Sequence, residues 1–264
     1  MRNLIALVAL AAAACGTPTP TVIPDAVKGT CATPTSTIPS GDVEGTFCGN
    51  ITAPQSFKVP SGKTLTITKG SVLAMPQGAS FEIDGTLITS GTKDAPVTIT
   101  STSSWNGIIL AGTFTATDTK IDGHDAALFQ SSGALNWTDT SLDLHNPGLS
   151  PDCMTINGGT QTMDHTHITG CHCPMHIDAS DGVTITSSIL EGADWMIARA
   201  QATMHHSHVL AALDDIGGNF NADVSGNYYG GGSPTVYLTQ GDGGAFANSD
   251  QFSGTAFNDV GPRF

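Results

Sequence analysis

Thr119-Lys120-Ile121, Thr140-Ser141-Leu142, Thr166-His167-Ile168, Ser187-Ser188-Ile189 and Ser207-His208-Val209 are five versions of one short phrase. Each opens on a small hydroxyl residue and closes on an aliphatic one. With Tyr228 as a sixth member, the aliphatic positions are 21, 26, 21, 20 and 19 residues apart. A period near twenty that carries three short strands is the length of one coil of a parallel β-helix, whose coils bury their apolar side chains only by stacking on one another. The surrounding sequence agrees. Period-two alternations such as Leu65-Thr66-Ile67, Phe81-Glu82-Ile83, Val97-Thr98-Ile99 and Val183-Thr184-Ile185 recur between Gly, Asn, Asp or Ser turns. No segment sustains a 3.6-residue apolar period over ten residues, so helix content should be minimal. The hydroxyl residues should stack about 4.8 Å apart along the axis and exchange hydrogen bonds.

Composition narrows the class further. The chain has 264 residues, 39% of them apolar but only 6% aromatic and 12% charged, with 31 Gly. So little charge argues against helical bundles, coiled coils and charged disorder. Nine basic residues against 23 acidic give a formal net charge of −14 with no basic cluster. A nucleic-acid grip or a polybasic membrane patch is therefore not expected.

The stretch TLTITKGSVLAMPQGASFEIDGTLITSG, residues 64–91, resembles the opening coils of bacterial right-handed parallel β-helix repeat proteins. Val97-Thr98-Ile99-Thr100-Ser101 followed by Trp105-Asn106-Gly107-Ile108 is similar to a recurring step of that family, and Asn227-Tyr228-Tyr229-Gly230 to its closing segment. The resemblance covers roughly residues 56–232. It implies an all-β, right-handed parallel β-helix but no one function, because the scaffold carries lyases, hydrolases, adhesins and inert surface proteins alike. The expected organisation is a signal peptide over 1–14, a lipidated, disordered Pro/Thr-rich tether and N-terminal cap over 15–50, the β-helix over 51–232, and a cap covering the last coil over 233–264.

The start of the chain supplies a location. Met1-Arg2-Asn3 precedes an unbroken apolar run from Leu4 to Ala14, too short to span a bilayer and the right length for a signal peptide. Ala12-Ala13-Ala14-Cys15 resembles the lipobox of bacterial lipoproteins, which implies cleavage before Cys15, lipid attachment there, and an outer-membrane or other cell-envelope location on the periplasmic or surface face. A plain signal peptide is the alternative. Cys31 and Cys48 are expected to close a small disulfide loop at the end of the tether.

Three chemistries compete on the body. A non-enzymatic scaffold or binding lipoprotein, with polysaccharide or an envelope protein as partner and no required cofactor, is the first. A polysaccharide lyase or hydrolase is the second, with Arg199, Asp214 and Asp215 as its candidate groups, although the Gly-His-Gly and Arg-x-Lys patterns of such hydrolases are missing. Metal binding is the third. All nine histidines fall between residues 124 and 208, and His165-x-His167 and His206-x-His208 stand two coils apart in one column. Residues i and i+2 of a strand share a face, so each pair could chelate Cu or Zn. His124, His145 and Cys171 offer a weaker His–His–Cys stack. Cys153 should bridge to Cys173 on the next rung, with Cys153–Cys171 as the other pairing. The pairs Thr64/Thr66, Thr98/Thr100 and Thr113/Thr115 resemble the ladders of ice-binding proteins, but in the sequence alignment they do not persist from coil to coil, so no regular array is expected.

Overall fold

Strand alternation decides which side chains point inward, and here it holds strand after strand. The computed structural model describes residues 35–123, 129–145, 152–179, 181–197, 201–213, 221–223, 225–230 and 253–264. Their regular elements are all strands, and every strand pairs with its counterpart one coil away in parallel, which makes the fold an all-β solenoid, a parallel β-helix.

Three faces result. The first stacks Gly45–Phe47, Thr64–Thr68, Thr86–Ser90, the opening halves of Thr113–Asp122, Ala134–Asp143 and Thr160–Thr169, then Gly182–Thr186, Gln201–His205 and Asn221–Asp223. The second stacks Asn50–Thr52, Val72–Met75, Val97–Ser101, the closing halves of those three long strands, Ile189–Ile197 and His208–Leu213. The third runs from Gly41–Asp42 through Phe57–Val59, Ser80–Ile83, Gly107–Leu110, Phe129–Ser131 and Met154–Asn157 to His176–Ala179. Coil pairing is already present at Thr35–Thr37, which pairs with Asn50–Thr52, ahead of the expected boundary at residue 51.

Inward positions form one continuous core. Leu65, Leu87, Phe114 and Leu135 stand in a single column and are fully buried. Phe129 and Trp137 meet edge-on at 5.2 Å between ring centroids, and Phe114 and Trp137 at 5.7 Å. Each such aliphatic or aromatic side chain contributes about 1.5–3 kcal/mol by leaving water. Gln161 takes the next place in that column, fully buried. Its amide nitrogen donates to Gly133 O and Gly158 O at 2.9 and 2.8 Å, so its burial leaves no orphaned donor.

Where the third face turns into the first, Gly85, Gly112, Gly133 and Gly159 stack. A Cβ on any one of the last three would collide with the carbonyl of the glycine in the coil before it, so these three positions require glycine.

The corner between first and second faces is a single left-handed residue inside an otherwise continuous strand. Asp118, Asp139, His165, Ser187 and His206 have φ of 45°, 48°, 52°, 49° and 51°. Non-Gly residues rarely adopt this conformation, and a column of five is a built feature. The residue after each bend is buried: Thr119, Thr140, Thr166, Ser188 and Ser207, then Asn227.

This corrects the sequence register by one residue in the last coils. Ser188, not Ser187, continues the hydroxyl column. Leu190, not Ile189, and Tyr229, not Tyr228, continue the apolar one. Ile168 pairs with Leu190 and Leu190 with Val209, while Ile189 points outward. The sequence alignment gives that coil 21 residues, from Ile168 to Ile189, where the pairing of Ile168 with Leu190 gives it 22. Leu190→Ala should cost about 2–5 kcal/mol of unfolding free energy, and Ile189→Ala under about 1.5 kcal/mol, both read by denaturant titration. The reverse ranking would restore the original register.

Candidate functional site

The left-handed column is also where the chain end returns. Ser253 N–H donates to Asn227 O at 2.7 Å, pairing the segment 253–264 with the last described coil. From there the segment does not lie over the open end as a cap. It runs back along the bend column as a strap. Phe257 N–H donates to His208 Nε2 at 2.9 Å, and the Phe257 ring packs on His206 at 4.0 Å between centroids. Asp259 Oδ1 lies 2.8 Å from His206 Nε2. Gly261 N–H donates to Ser187 O at 2.7 Å. Arg263 then clasps Asp139: Nε and the backbone N–H both donate to Oδ1, at 2.7 and 3.0 Å, and Nη2 donates to Oδ2 at 2.6 Å. Lys120 Nζ stands 4.6 Å from the centre of the Phe264 ring.

Electrostatics follow from this strap. Burial would raise the Asp139 carboxyl, which is 7% exposed, but the Arg263 guanidinium and backbone N–H hold it below the usual carboxylate range. Burial, and secondly the neighbouring Asp139, push the Asp118 carboxyl up. The hydrogen bond from His206 holds Asp259 down. Burial, and then His206, depress the His208 imidazole, consistent with a neutral ring whose Nε2 accepts from Phe257.

The candidate metal residues are therefore spent differently from expectation. His165 and His206 sit at left-handed bends, so each His-x-His spans the corner between two faces and does not lie along one flat strand. His206 and His208 hold the strap. His165 Nδ1 lies 2.9 Å from Asp164 Oδ2, and His167 Nε2 lies 3.2 Å from Glu191 Oε2. His145 Nε2 lies 2.8 Å from Asp122 Oδ1. The positions between the two pairs are Ser187 and Ile189. Among the described residues no three His, Cys, Asp or Glu side chains converge as a metal site would require.

Cysteine pairing is corrected as well. Cys153 is bonded to Cys171, with Cα atoms 5.5 Å apart, and not to Cys173. Asp152 shares a rung with Cys173, which puts Cys153 opposite Pro174. Left-handed Gly170 instead turns the chain so that Cys171 returns towards Cys153, whose Sγ lies 3.2 Å from Thr169 O. The bond removes the thiolate that the His124–His145–Cys171 stack would need. Cys48 is disulfide-bonded to a residue outside the described ones. Cys15, Cys31, His124, Arg199, Asp214 and Asp215 all lie outside the described residues.

No protein-family model matches this chain, and neither a curated protein nor a solved structure is found that matches it. The reading of its site rests on its own geometry.

Arg263 is more than half exposed, so its charge-assisted bonds to Asp139 are partly screened. Arg263→Ala should lower the amide-exchange protection factors of residues 257–264 about fivefold, near 1 kcal/mol. In the wild type, protection should also depend on pH. The Asp139 carboxyl is depressed in the fold, so its contribution is complete above the unfolded value near 3.9 and is lost as pH falls through the folded value. His208 is depressed too, so its contribution is complete above about 6.5 and is lost as pH falls through its lower folded value. Protection should therefore weaken first below about pH 6.5 and again below about pH 4. A pH-independent protection factor between 4 and 7 would remove His208 from the clamp.

Proposed function

We propose that the protein is a non-catalytic cell-envelope lipoprotein, anchored through Cys15, that uses a rigid β-helix as a surface binding or spacing element. One observation supports this most. The C-terminal strap lies flat in the bend column and is tied to successive coils by side chains that an active site would need unengaged. Carboxylates at Asp139 and Asp259 and imidazoles at His206 and His208 all serve that attachment. Such a use of titratable groups suits a part that must hold its shape.

Incubating the protein with acidic and neutral polysaccharides should release neither unsaturated nor reducing ends. Activity abolished by Arg199→Ala would reverse the reading in favour of a lyase or hydrolase. Fractionation supplies the second check: the Cys15→Ser protein should leave the membrane fraction, and its retention there would refute the anchor.

A further inference from the structure

The register places side by side what the sequence alignment kept apart. On the first face, TLTIT (Thr64–Thr68), TLITS (Thr86–Ser90) and the TFTAT that opens the strand Thr113–Asp122 stack in phase, Thr64 beside Thr86 beside Thr113. Their odd positions point outward. Of these nine outward residues seven are Thr, one is Ser and one is Ile88, and Thr46 extends the middle column by one coil. The pattern continues more loosely through ALNWT, TQTMD, GVTIT and QATMH, where Thr162, Thr184 and Thr203 prolong the middle column. Register thus brings Thr64/Thr66 and Thr113/Thr115 into line across Thr86 and Ile88, whereas Thr98/Thr100 lies on the second face between Val72/Ala74 and Lys120/Asp122.

Strand propensity alone does not produce this. Thr suits any exposed sheet surface, yet the same chain spends its charges on the other two faces. Lys58 and Glu82 stand on the third, and Lys120, Asp122, Asp143 and Glu191 on the second. In the three opening strands of the first face there is no charge at all, on a protein of net −14. Asp164 breaks the surface only in the fifth strand. Hydroxyls on this face are also uncommitted: among the described residues Thr186 alone uses one internally, donating to Asp164 Oδ1 at 2.8 Å.

We propose that this face binds ice. Neighbouring strands set one repeat at about 4.8 Å, and alternate residues along a strand set a perpendicular repeat at about 6.6 Å. Water oxygens on the prism faces of hexagonal ice recur along two perpendicular directions with similar spacings. Thr supplies a hydroxyl to continue such a lattice and a methyl to fit its hollows, and Ile88 keeps the methyl where the hydroxyl is missing. β-Branched side chains have few χ1 rotamers, so little side-chain entropy opposes the match. Flat saccharide surfaces are gripped by aromatic faces, whereas Phe114 and Trp137 here turn inward, and strands 64–68, 86–90 and 113–117 present no aromatic ring outward. The proposal deepens the reading of the molecule as a rigid binding element and rests on it.

The test is ice-growth microscopy on the purified protein, with thermal hysteresis and recrystallisation as readouts. Wild type should shape ice crystals and halt their coarsening. Thr66→Lys and Thr115→Lys, which put a charge in the middle column, should abolish this, while Thr155→Lys on the third face should not. Circular dichroism of each variant separates loss of binding from loss of fold. A wild type that leaves ice growth unchanged, or middle-column variants that retain full effect, overturns the proposal. So does binding to crystalline cellulose or chitin in place of ice. These failures leave the non-catalytic reading standing, since polysaccharide incubation decides that separately.

Discussion

The left-handed bend between the first and second faces sets the terms for the rest of the molecule. A strand that turns through a single residue breaks its own ladder there, leaving an N–H and a C=O buried without backbone partners, at a cost of about 1–3 kcal/mol for each orphaned group. The residue after the bend repairs both. Ser188 Oγ donates to Thr186 O at 2.7 Å and accepts from Thr166 N–H at 3.0 Å. Ser207 Oγ donates to His205 O at 2.9 Å and accepts from Ser188 N–H at 3.1 Å. Asn227 ends the series, accepting from Ser207 N–H at 3.0 Å and donating to Met204 O at 2.8 Å. A hydroxyl at that position is thus required twice over, by its own coil and by the preceding one. The Thr166 hydroxyl departs from the pattern: its Oγ1 is buried without a hydrogen-bond partner.

This explains which parts of the architecture were legible in the sequence. The hydroxyl phrase marks the bend because backbone satisfaction demands it, and period-two alternation marks the strands because burial demands that. Alignment on the hydroxyl-to-aliphatic phrase then slipped where a coil gained a residue beside the bend. Such residues carry no hydrophobic signal, so Ser187 and Ile189 passed for Ser188 and Leu190. The same slip hid the threonine columns of the first face, whose members are 22 and 27 residues apart in the coils that matter. The glycine corner at Gly85, Gly112 and Gly133 was readable in principle, because a Cβ there would meet the carbonyl of a neighbouring coil, but among 31 glycines it does not stand out.

The candidate site was read less well, for a different reason. Of the four histidines that stand out in the sequence, His206 and His208 take partners from Asp259 and Phe257 at the chain end, whereas His165 and His167 meet Asp164 and Glu191. Asp139 and Arg263 are separated by 124 residues. Nothing in a local pattern announces that a Gly- and Asp-rich tail returns to pair with them. Composition suggested a cap because an open last coil exposes strand edges, and it could not distinguish a segment that only meets that coil from one that continues down the side.

The position of the strap has its own logic. In a solenoid each coil touches only its neighbours, so stability is a sum of local terms and any weak interface is a place to open. From Thr35 to the bend at Asp118 the strand pairings run without a register shift. Beyond it they do not: the third face shifts between Ile156 and Asn157, and the second between Glu191 and Asp194. Both long-range ties described here fall in that second half. The Cys153–Cys171 disulfide closes a loop of 18 residues beside the first irregularity, and the strap runs from Asn227 to Lys120 across the coils that contain both. A tie that crosses several coils makes them open together or not at all, raising the cost of the first opening from one interface to several. The regular half keeps its register throughout, and it is there, on strands 64–68, 86–90 and 113–117, that the outward surface is most uniform.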